Sequence, residues 1–288
     1  MIIDGRKLSE EILLKLKRKA KGLNLKLAIV LVGENKASEL FTKKKGEACR
    51  KIGIDFELFK FSSKVKKERL KKEVLEIAKN PKISGLVIQL PLPKGIKEGE
   101  MLNLIPFKKD VDVLSEKSLK KFSQGDFEIL PPTVGAVSFL LKKFKIKIKG
   151  KNVVLVGAGK LVGKPLSIWF LKNKANVIVV DKSVKSISLF TKKADILISG
   201  TGKPNLIKGD MVKKGVFVLD FGSGSPAVAS LRRMRAGILK GKIRGDIDFK
   251  SVSKKASYIS PVPGGVGPLT IAMVLENLVK LSNKKDKR

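Results

Sequence analysis

Three glycines follow an apolar run in the segment VVLVGAGKLVGKP, residues 153–165. Gly157, Gly159 and Gly163 form the pattern G-x-G-x-x-x-G, in which glycine permits a tight turn and lets the backbone approach a pyrophosphate. A helix that begins near Gly163 would direct its first N–H groups at negative charge. The pattern predicts a dinucleotide phosphate site, although a purely structural turn between a strand and a helix explains it equally well.

An acid ends the next apolar run, ANVIVVD, at Asp181, which follows Gly157 by 24 residues. A dinucleotide-binding unit has at this place the acid that bonds the 2′-hydroxyl of the adenosine ribose. Such an acid favours NAD, because it repels the 2′-phosphate of NADP. Two alternatives stay open: Asp181 is an ordinary residue at a strand end, or Lys182 meets a phosphate.

Three consecutive lysines, Lys43 to Lys45, lie in a predicted helix within VGENKASELFTKKKGEACRKIGI, residues 32–54. Phe41 and Lys45 are four residues apart and therefore share one helix face. Crowded positive charge and burial both favour a neutral lysine, which can act as a base. The spacing alone favours an exposed basic helix over a catalytic one.

Three further segments carry polar or special residues at strand ends and corners. Gln89 interrupts the apolar strand of VIQLPLP (87–93) at its C-terminal end, where parallel sheets bind ligands. Two acids lie between lysines in KKDVDVL (108–114), a pattern that by itself indicates only a turn. The stretch SPVPGGVGPLT (260–270) combines stiff prolines with glycines, which predicts a corner that another group approaches closely.

Apolar runs alternate with helical patterns along the chain, which predicts βαβ units and a mainly parallel sheet in an α/β fold. The predicted strands are 25–33, 55–61, 84–93, 151–159, 175–181, 194–202 and 215–222, and the predicted helices are 6–21, 36–52, 66–79, 163–173, 184–193 and 269–281. A fresh strand and glycine-rich turn after residue 146 indicate a domain boundary. We therefore predict one domain of residues 1–145 with 267–288, and a Rossmann-like, dinucleotide-binding domain of residues 146–266.

The composition excludes several classes of site. The chain has one cysteine, Cys49, and no histidine, so we expect neither an intrachain disulfide nor a zinc site, and we predict no metal cofactor. No apolar run reaches the roughly 18 residues of a membrane span, and the N-terminus lacks the pattern of a secretory signal. We therefore expect a cytoplasmic protein with no membrane contact.

The net charge of +36 is the one extreme value of the composition. Lysine and arginine are spread evenly, with 32 in residues 1–144 and 30 in residues 145–288, and many lie on the polar faces of predicted helices. Aromatic residues, on which single-stranded nucleic acids stack, make up only 6% of the chain. We therefore do not expect nucleic acid as a partner, whereas anionic small molecules remain candidates.

Eight segments, taken in chain order, resemble the bifunctional 5,10-methylenetetrahydrofolate dehydrogenase/cyclohydrolase family: VGENKAS, VIQLPLP, PFKKDVD, PPTVG, VGAGKLVGKP, SGTGKPNLI, GDIDF and PVPGGVGPLT. VIQLPLP and PVPGGVGPLT are the most specific of them. The resemblance implies two α/β domains with a cleft between them, and a homodimer. It also implies a folate in the cleft, NAD or NADP on the Rossmann-like side, oxidation of 5,10-methylenetetrahydrofolate, and hydrolysis of the 5,10-methenyl product to 10-formyltetrahydrofolate in one-carbon metabolism.

The resemblance also implies roles for individual residues. Lys45 would be the catalytic lysine of the hydrolysis, Gln89 would hold that lysine by a hydrogen bond, and Asp112 would orient the pterin ring. The implied substrate-binding residues are Phe41, Gln89, Leu90, Pro91, Asp112, Pro263, Gly264 and Gly265. The implied cofactor-binding residues are Gly157, Ala158, Gly159, Val162, Gly163, Asp181, Lys182, Gly200, Thr201 and Gly222.

The chain departs from the family pattern at several positions. Phe41 replaces a tyrosine whose hydroxyl belongs to the lysine network, so the hydrolysis is less firmly implied than the oxidation. Ala158 replaces an arginine and Asp181 replaces a histidine, and both changes favour NAD over NADP. Val113 stands where the family has glycine. Residues 222–244, which include LRRMRAG, match the family poorly.

The alternative from another functional class is a non-catalytic, basic, nucleic-acid-binding protein with a decayed folate site. The excess of lysine has three possible explanations: binding of nucleic acid, attraction of folates that carry anionic polyglutamate tails, and a general compositional bias. Turnover of the folate substrate with either cofactor distinguishes the enzyme from the alternative.

Overall fold

The computed structural model describes residues 1–126, 128–222 and 244–282. The segment LRRMRAG, for which the sequence offers no interpretation, lies outside the described residues. The chain splits into two compact units, Met1–Leu8 with Thr133–Leu269 and Ser9–Pro132 with Thr270–Arg288. We name the first the five-stranded unit and the second the three-stranded unit, after their sheets.

The five-stranded unit contains the first residues of the chain and the segment just before residue 146, which the sequence-based division places in the other domain. The Met1 ammonium donates to the Ser257 carbonyl at 2.6 Å, and the ring centroids of Phe144 and Tyr258 are 4.5 Å apart. These contacts attach both segments to the five-stranded unit. The sequence-based boundaries stay a prediction about which parts of the chain fold independently.

Helix α1 (Gly5–Ala20) leads into the three-stranded unit, whose parallel sheet has the order β2-β1-β3. The strands are β1 (Lys26–Val32), β2 (Asp55–Phe61) and β3 (Gly85–Ile88), and the helices are α2 (Lys36–Ile52), α3 (Lys67–Lys79), α4 (Glu98–Leu102) and α5 (Glu116–Gln124). All of β1 after its first residue is buried, because β1 is the central strand and packs on both faces. This burial explains its unbroken run of Leu, Ala, Ile and Val.

The strand order of this sheet reverses at β1, which has β2 on one side and β3 on the other. Open parallel sheets bind ligands at such a reversal, beyond the carboxyl ends of the strands. Helix α2 begins just after β1, where the Asn35 side chain accepts a hydrogen bond from the Ser38 amide at 3.0 Å, and it ends at Gly53, whose φ of 75° is left-handed. Gln89 directly follows β3 and so lies at the same edge of the sheet.

The five-stranded unit has a second parallel sheet, with the order β5-β4-β6-β7-β8. Its strands are β4 (Asn152–Val156), β5 (Asn176–Val180), β6 (Ile196–Ser199), β7 (Phe217–Asp220) and β8 (Tyr258–Ile259). The later helices of the chain are α6 (Pro132–Lys143), α7 (Gly163–Lys172), α8 (Ser188–Thr191), α9 (Phe249–Val252) and α10 (Val266–Ser282), of which α10 continues into the three-stranded unit. This order also reverses once, at β4, so the ligand crevice expected for this sheet lies between the carboxyl ends of β4 and β6.

The structure confirms the predicted α/β fold and its parallel sheets. The predicted helix 184–193 contains only the short α8, Ser188–Thr191, and the predicted strand 84–93 ends at Ile88, because prolines occupy two of the five positions that follow it. The short helices α4, α5 and α9 were not predicted. Among the helices of the described residues, none has both the length and the apolar character needed to cross a bilayer.

Candidate functional site

A buried lysine lies at the centre of the candidate site in the three-stranded unit. Lys45, on α2, is only 7% exposed. Its Nζ donates to Gln89 Oε1 at 3.1 Å and lies 3.9 Å from Asp112 Oδ2. The structure therefore brings together the three residues selected as catalytic, and it decides against the exposed basic helix that spacing alone favours.

The amide of Gln89 has a fixed orientation. Its Nε2 donates to the Leu90 carbonyl at 3.1 Å, which leaves Oε1 to accept from Lys45. The hydroxyl of Ser38, two helical turns before Lys45 on α2, donates to the same Leu90 carbonyl at 3.1 Å. The segment that follows β3 is thus attached to the buried face of α2, and this attachment positions the lysine's partner.

Asp112 lies in the segment between α4 and α5 and is largely removed from water. Burial raises the pKa of its carboxyl above the ordinary value of 3.8, the charge of Lys45 opposes that rise, and the charge of Asp110 adds to it. A carboxyl in these surroundings shifts toward its protonated form, which can donate as well as accept a hydrogen bond. Such a group suits the recognition of a heterocycle that carries both donors and acceptors.

Two residues that the sequence did not single out hold the Asp112 loop. Asp110 is fully buried, and its carboxylate accepts from the Leu114 amide at 3.2 Å and the Ser115 amide at 2.9 Å. Asn277, on α10, donates to the Val111 carbonyl at 2.8 Å. The available signal for Asn277 was a polar residue inside the apolar helix TIAMVLENLVKL, and the signal for Asp110 was the pair of acids in KKDVDVL.

The remaining substrate-binding candidates of the three-stranded unit lie beside this site in sequence. Phe41 is half-buried on α2, one turn before Lys45, while Leu90 is half-buried and Pro91 exposed. The buried thiol of Cys49 lies one turn after Lys45, and burial raises its pKa to about 12. Cys49 therefore stays a thiol at neutral pH and is not a nucleophile.

Three glycines form the candidate cofactor site of the five-stranded unit. Gly157 follows β4 with a φ of 106°, and a Cβ atom there would lie 2.7 Å from the Gly200 carbonyl oxygen, at the end of β6. A Cβ atom on Gly163 would collide with the Gly157 carbonyl oxygen. Only glycine fits this crossing, which lies where the strand order reverses, between β4 and β6, and α7 begins there with its N-terminal amides. The cradle fits a dinucleotide phosphate.

The other cofactor-binding candidates surround this crossing or follow β5. Ala158 and Gly159 are exposed in the turn, and Val162 precedes the first residue of α7. Asp181 and Lys182 are exposed just after β5. Asp181 Oδ1 accepts from the amide and hydroxyl of Ser183, and these hydrogen bonds lower the pKa of Asp181, so it is ionised at neutral pH.

Two buried carboxylates support the loops after β6 and β7. Asp246 Oδ2 accepts from the Thr201 amide at 2.6 Å and from the Ser199 hydroxyl at 2.8 Å. Asp220, the last residue of β7, accepts from the Gly222 amide at 2.7 Å. The sequence singled out Thr201 and Gly222 but neither acid, although Asp246 lies in the quoted segment GDIDF.

The corner PVPGG lies in the five-stranded unit. The Gly265 amide donates to the Pro261 carbonyl at 2.8 Å, Gly264 has a φ of 104°, and Pro263 is exposed. A Cβ atom on Gly5 would collide with the Gly265 carbonyl, so the start of α1 packs directly on the corner. The structure therefore contains the close approach that was predicted for this corner. Within the five-stranded unit, the group that approaches the corner is the backbone of Gly5.

The predicted site residues thus fall into three groups. The lysine site belongs to the three-stranded unit, whereas the glycine crossing and the PVPGG corner belong to the five-stranded unit.

Comparison with known proteins decides the family. Residues 3–112 match the family model described as the tetrahydrofolate dehydrogenase/cyclohydrolase catalytic domain, and residues 131–286 match the NAD(P)-binding domain of the same family. The chain belongs to the tetrahydrofolate dehydrogenase/cyclohydrolase family. The resemblance stated from the sequence motifs is therefore confirmed.

Relatives in this family match the chain over nearly its whole length. The bifunctional protein FolD of Nautilia profundicola is 42% identical over 284 residues, which cover 97% of this chain and 96% of that protein. The crystal structure of the bifunctional FolD enzyme of Campylobacter jejuni is 37% identical, covers 99% of both chains and has a TM-score of 0.90. The FolD structure of Trypanosoma brucei, complexed with NADP and an inhibitor, is 29% identical, covers 100% of this chain and 99% of its own, and has a TM-score of 0.92.

Proposed function

We propose that the protein oxidises 5,10-methylenetetrahydrofolate with NAD or NADP and hydrolyses the resulting 5,10-methenyltetrahydrofolate to 10-formyltetrahydrofolate. The observation that carries the proposal is the buried Lys45, which bonds Gln89 at 3.1 Å and lies 3.9 Å from Asp112. Its family supports the same pair of activities. Neither the described residues nor the comparisons favour the nucleic-acid-binding alternative.

In the hydrolysis, Lys45 exchanges a proton with the attacking water. The water oxygen bonds to the methenyl carbon and one of its protons passes to the amine of Lys45, which later releases it. The bond from that carbon to N5 then breaks as N5 takes the second proton of the former water. The overall step consumes one water and releases one proton. Gln89 Oε1 fixes the position of the amine, and the largely buried carboxyl of Asp112 orients the pterin ring, while Phe41 contributes an aromatic face to the folate.

In the oxidation, a hydride leaves the methylene carbon of the folate and no protein acid or base is required. A bound nicotinamide cofactor would supply the hydride acceptor, so the protein's contribution is position and orientation. Gly157, Gly163 and Gly200 let the backbone approach the pyrophosphate. In the three-stranded unit, Leu90 and Pro91 follow Gln89 directly and contact the folate.

The cofactor is NAD rather than NADP. An ionised Asp181 after β5 accepts from the ribose 2′-hydroxyl and repels a 2′-phosphate, and Ala158 offers no cation to balance that phosphate. The Trypanosoma brucei relative was solved in complex with NADP, so the cofactor proposed here differs from the one bound in that structure. Lys182, the other charged residue of this turn, is the group that would offset the effect of Asp181.

The active form is a homodimer, and its preferred substrates are polyglutamylated folates. A net charge of +36 raises the local concentration of an anionic polyglutamate tail. Sedimentation velocity measures whether the protein is a dimer. The preference for polyglutamylated folates should appear as a lower KM for a pentaglutamate than for a monoglutamate substrate, and this difference in KM should shrink as salt is added.

One assay tests both activities. Purified protein is mixed with 5,10-methylenetetrahydrofolate and either NAD or NADP, and the absorbance of the methenyl product is followed. We expect the product to form and then decay faster than in a matched solution without protein. Formation without catalysed decay would remove the hydrolysis from the proposal, and no formation with either cofactor would remove the oxidation.

A further inference from the structure

Three polar residues share the buried face of α2 that carries the catalytic lysine. Ser38, Thr42 and Lys45 follow one another at the spacing of successive helical turns and are all buried. Ser38 donates to the carbonyl of Leu90 and Lys45 donates to the side chain of Gln89. Thr42 lies between them on this face, so its neighbours on both sides reach the same short segment after β3.

The hydroxyl of Thr42 has no hydrogen-bond partner within the described part of the chain, although the residue is only 2% exposed. Buried hydroxyls are normally paired, and a threonine inside a helix has an obvious partner in the carbonyl one turn earlier. The Thr42 hydroxyl does not make that bond. An apolar side chain of the same shape would fill the position without leaving a polar atom unpaired, so the hydroxyl itself requires an explanation.

Phe41, the residue before Thr42, lacks the hydroxyl that the family's tyrosine adds to the lysine network. Gln89 Oε1 is an acceptor, so it can bond an N–H group of Lys45. It cannot donate to the lone pair that a deprotonated lysine amine carries. A hydroxyl both donates and accepts. Thr42, which lies on the Lys45 face of α2, is therefore the hydroxyl that is able to serve the lysine in both of its protonation states.

We propose that Thr42 is a positioning residue for the hydrolysis, whose hydroxyl holds the Lys45 amine through one bridging water in place of the hydroxyl that Phe41 lacks. This inference rests on the proposed cyclohydrolase activity. During the step the amine of Lys45 gains the proton that the attacking water loses, and the Thr42 hydroxyl turns from donating toward the lone pair to accepting from the new N–H. Thr42 itself neither gains nor loses a proton.

The test compares Thr42→Val, which removes the hydroxyl and keeps the shape, with Thr42→Ser, which keeps the hydroxyl. We expect Thr42→Val to lower kcat for methenyl hydrolysis about tenfold, which corresponds to about 1.4 kcal/mol, and to shift the pH profile of kcat. The dehydrogenase rate and the melting temperature should not fall, because the hydroxyl bonds no other protein group in the described residues and valine keeps the shape of the side chain. Thr42→Ser should retain most of the hydrolysis.

A double-mutant cycle with Phe41→Tyr isolates the inferred role. The tyrosine hydroxyl should restore the hydrolysis in the Thr42→Val background, and the fold-gain there should exceed the fold-gain from Phe41→Tyr where Thr42 is intact. The inference would be overturned if Thr42→Val hydrolysed the methenyl substrate at the wild-type rate. It would also be overturned if this variant lost dehydrogenase activity and melting temperature in parallel with the hydrolysis. Neither outcome would contradict the proposed function. A wild-type protein that oxidises its substrate but does not hydrolyse the product would instead overturn the cyclohydrolase activity, and this inference with it.

Discussion

The Asn277 side chain donates to the carbonyl of Val111, the residue before Asp112, at a distance of 2.8 Å. The same nitrogen donates to the Leu130 carbonyl at 2.8 Å. Asn277 is 3% exposed, so both hydrogen bonds are shielded from water. One amide of α10 therefore joins the loop that carries Asp112 to the segment just before α6.

Replacing Asn277 with alanine should reduce both stability and substrate affinity. Two carbonyls would lose their donor in a buried place, which costs about 1–3 kcal/mol of the free energy of unfolding. The Asp112 loop would be freed, so KM for the folate should rise more than kcat falls. Chemical denaturation and steady-state kinetics measure the two effects. Glu276→Gln is the matched control, because its ion pair with Lys280 is partly exposed and contributes little; equal effects of the two substitutions would contradict the assigned role.

Replacing Lys45 with methionine should abolish most of the hydrolysis and leave the oxidation. Methionine fills a similar volume without an amine, and positioned acid–base groups contribute about 10²- to 10⁴-fold to rate. We therefore expect methenyl product to accumulate in the coupled assay, with NAD binding unchanged by fluorescence titration. The control is Lys44→Met, since Lys44 is exposed on the same helix. Unchanged hydrolysis in the Lys45 variant would show that another group activates the water.

The sequence predicted the central elements closely because their local signals agree with their burial. The bounds of α2 were predicted as 36–52 and observed as Lys36–Ile52, since Asn35 caps its start and Gly53 ends it. The buried strand β4 was visible as an unbroken apolar run. The short α8 was predicted too long, because a half-exposed helix of one turn leaves a weak hydrophobic period.

The site was less visible than the fold. Lys45 was selected by resemblance, since its spacing alone favoured an exposed basic helix. Only its burial in the structure distinguishes a lysine that can be catalytic from an exposed one. Asn277 contacts Val111 across 166 residues of sequence, a contact that no local pattern encodes. The unpaired hydroxyl of Thr42 is likewise a property of packing, because the same residue on a solvent-facing position would have water as its partner.

Replacing Asp181 with asparagine should weaken the preference for NAD. The asparagine carbonyl can still accept from Ser183 and from a ribose hydroxyl, but the charge that repels a 2′-phosphate is gone. We expect the ratio of kcat/KM for NAD to kcat/KM for NADP to fall about tenfold, the effect of about 1.4 kcal/mol. Asp210→Asn, another exposed acid of the same unit, is the control. A wild-type enzyme that already prefers NADP would refute the assigned role of Asp181.

The stability of the five-stranded unit should depend on pH through Asp220. Burial raises the pKa of this carboxyl from 3.8 to about 6, so between these values the folded protein binds a proton that the unfolded chain has released. Because the native state then holds more protons than the unfolded state, this contribution to the free energy of unfolding falls as pH rises from about 4 to about 6, by about 3 kcal/mol. Above that range the contribution stays constant.

Asp220→Asn isolates this contribution, because asparagine does not titrate. Chemical denaturation across this pH range should show the wild type losing more stability with rising pH than the variant, even though the variant is less stable at low pH: its amide N–H opposes the backbone amides that Asp220 accepts from. Ser260→Ala removes the hydroxyl that accepts from the Asp220 amide. It should lower stability equally at every pH, since no titrating group is changed. Parallel pH profiles for the wild type and Asp220→Asn would mean that Asp220 ionises in the folded protein as it does in the unfolded chain, and that its burial is offset by the three backbone amides around it.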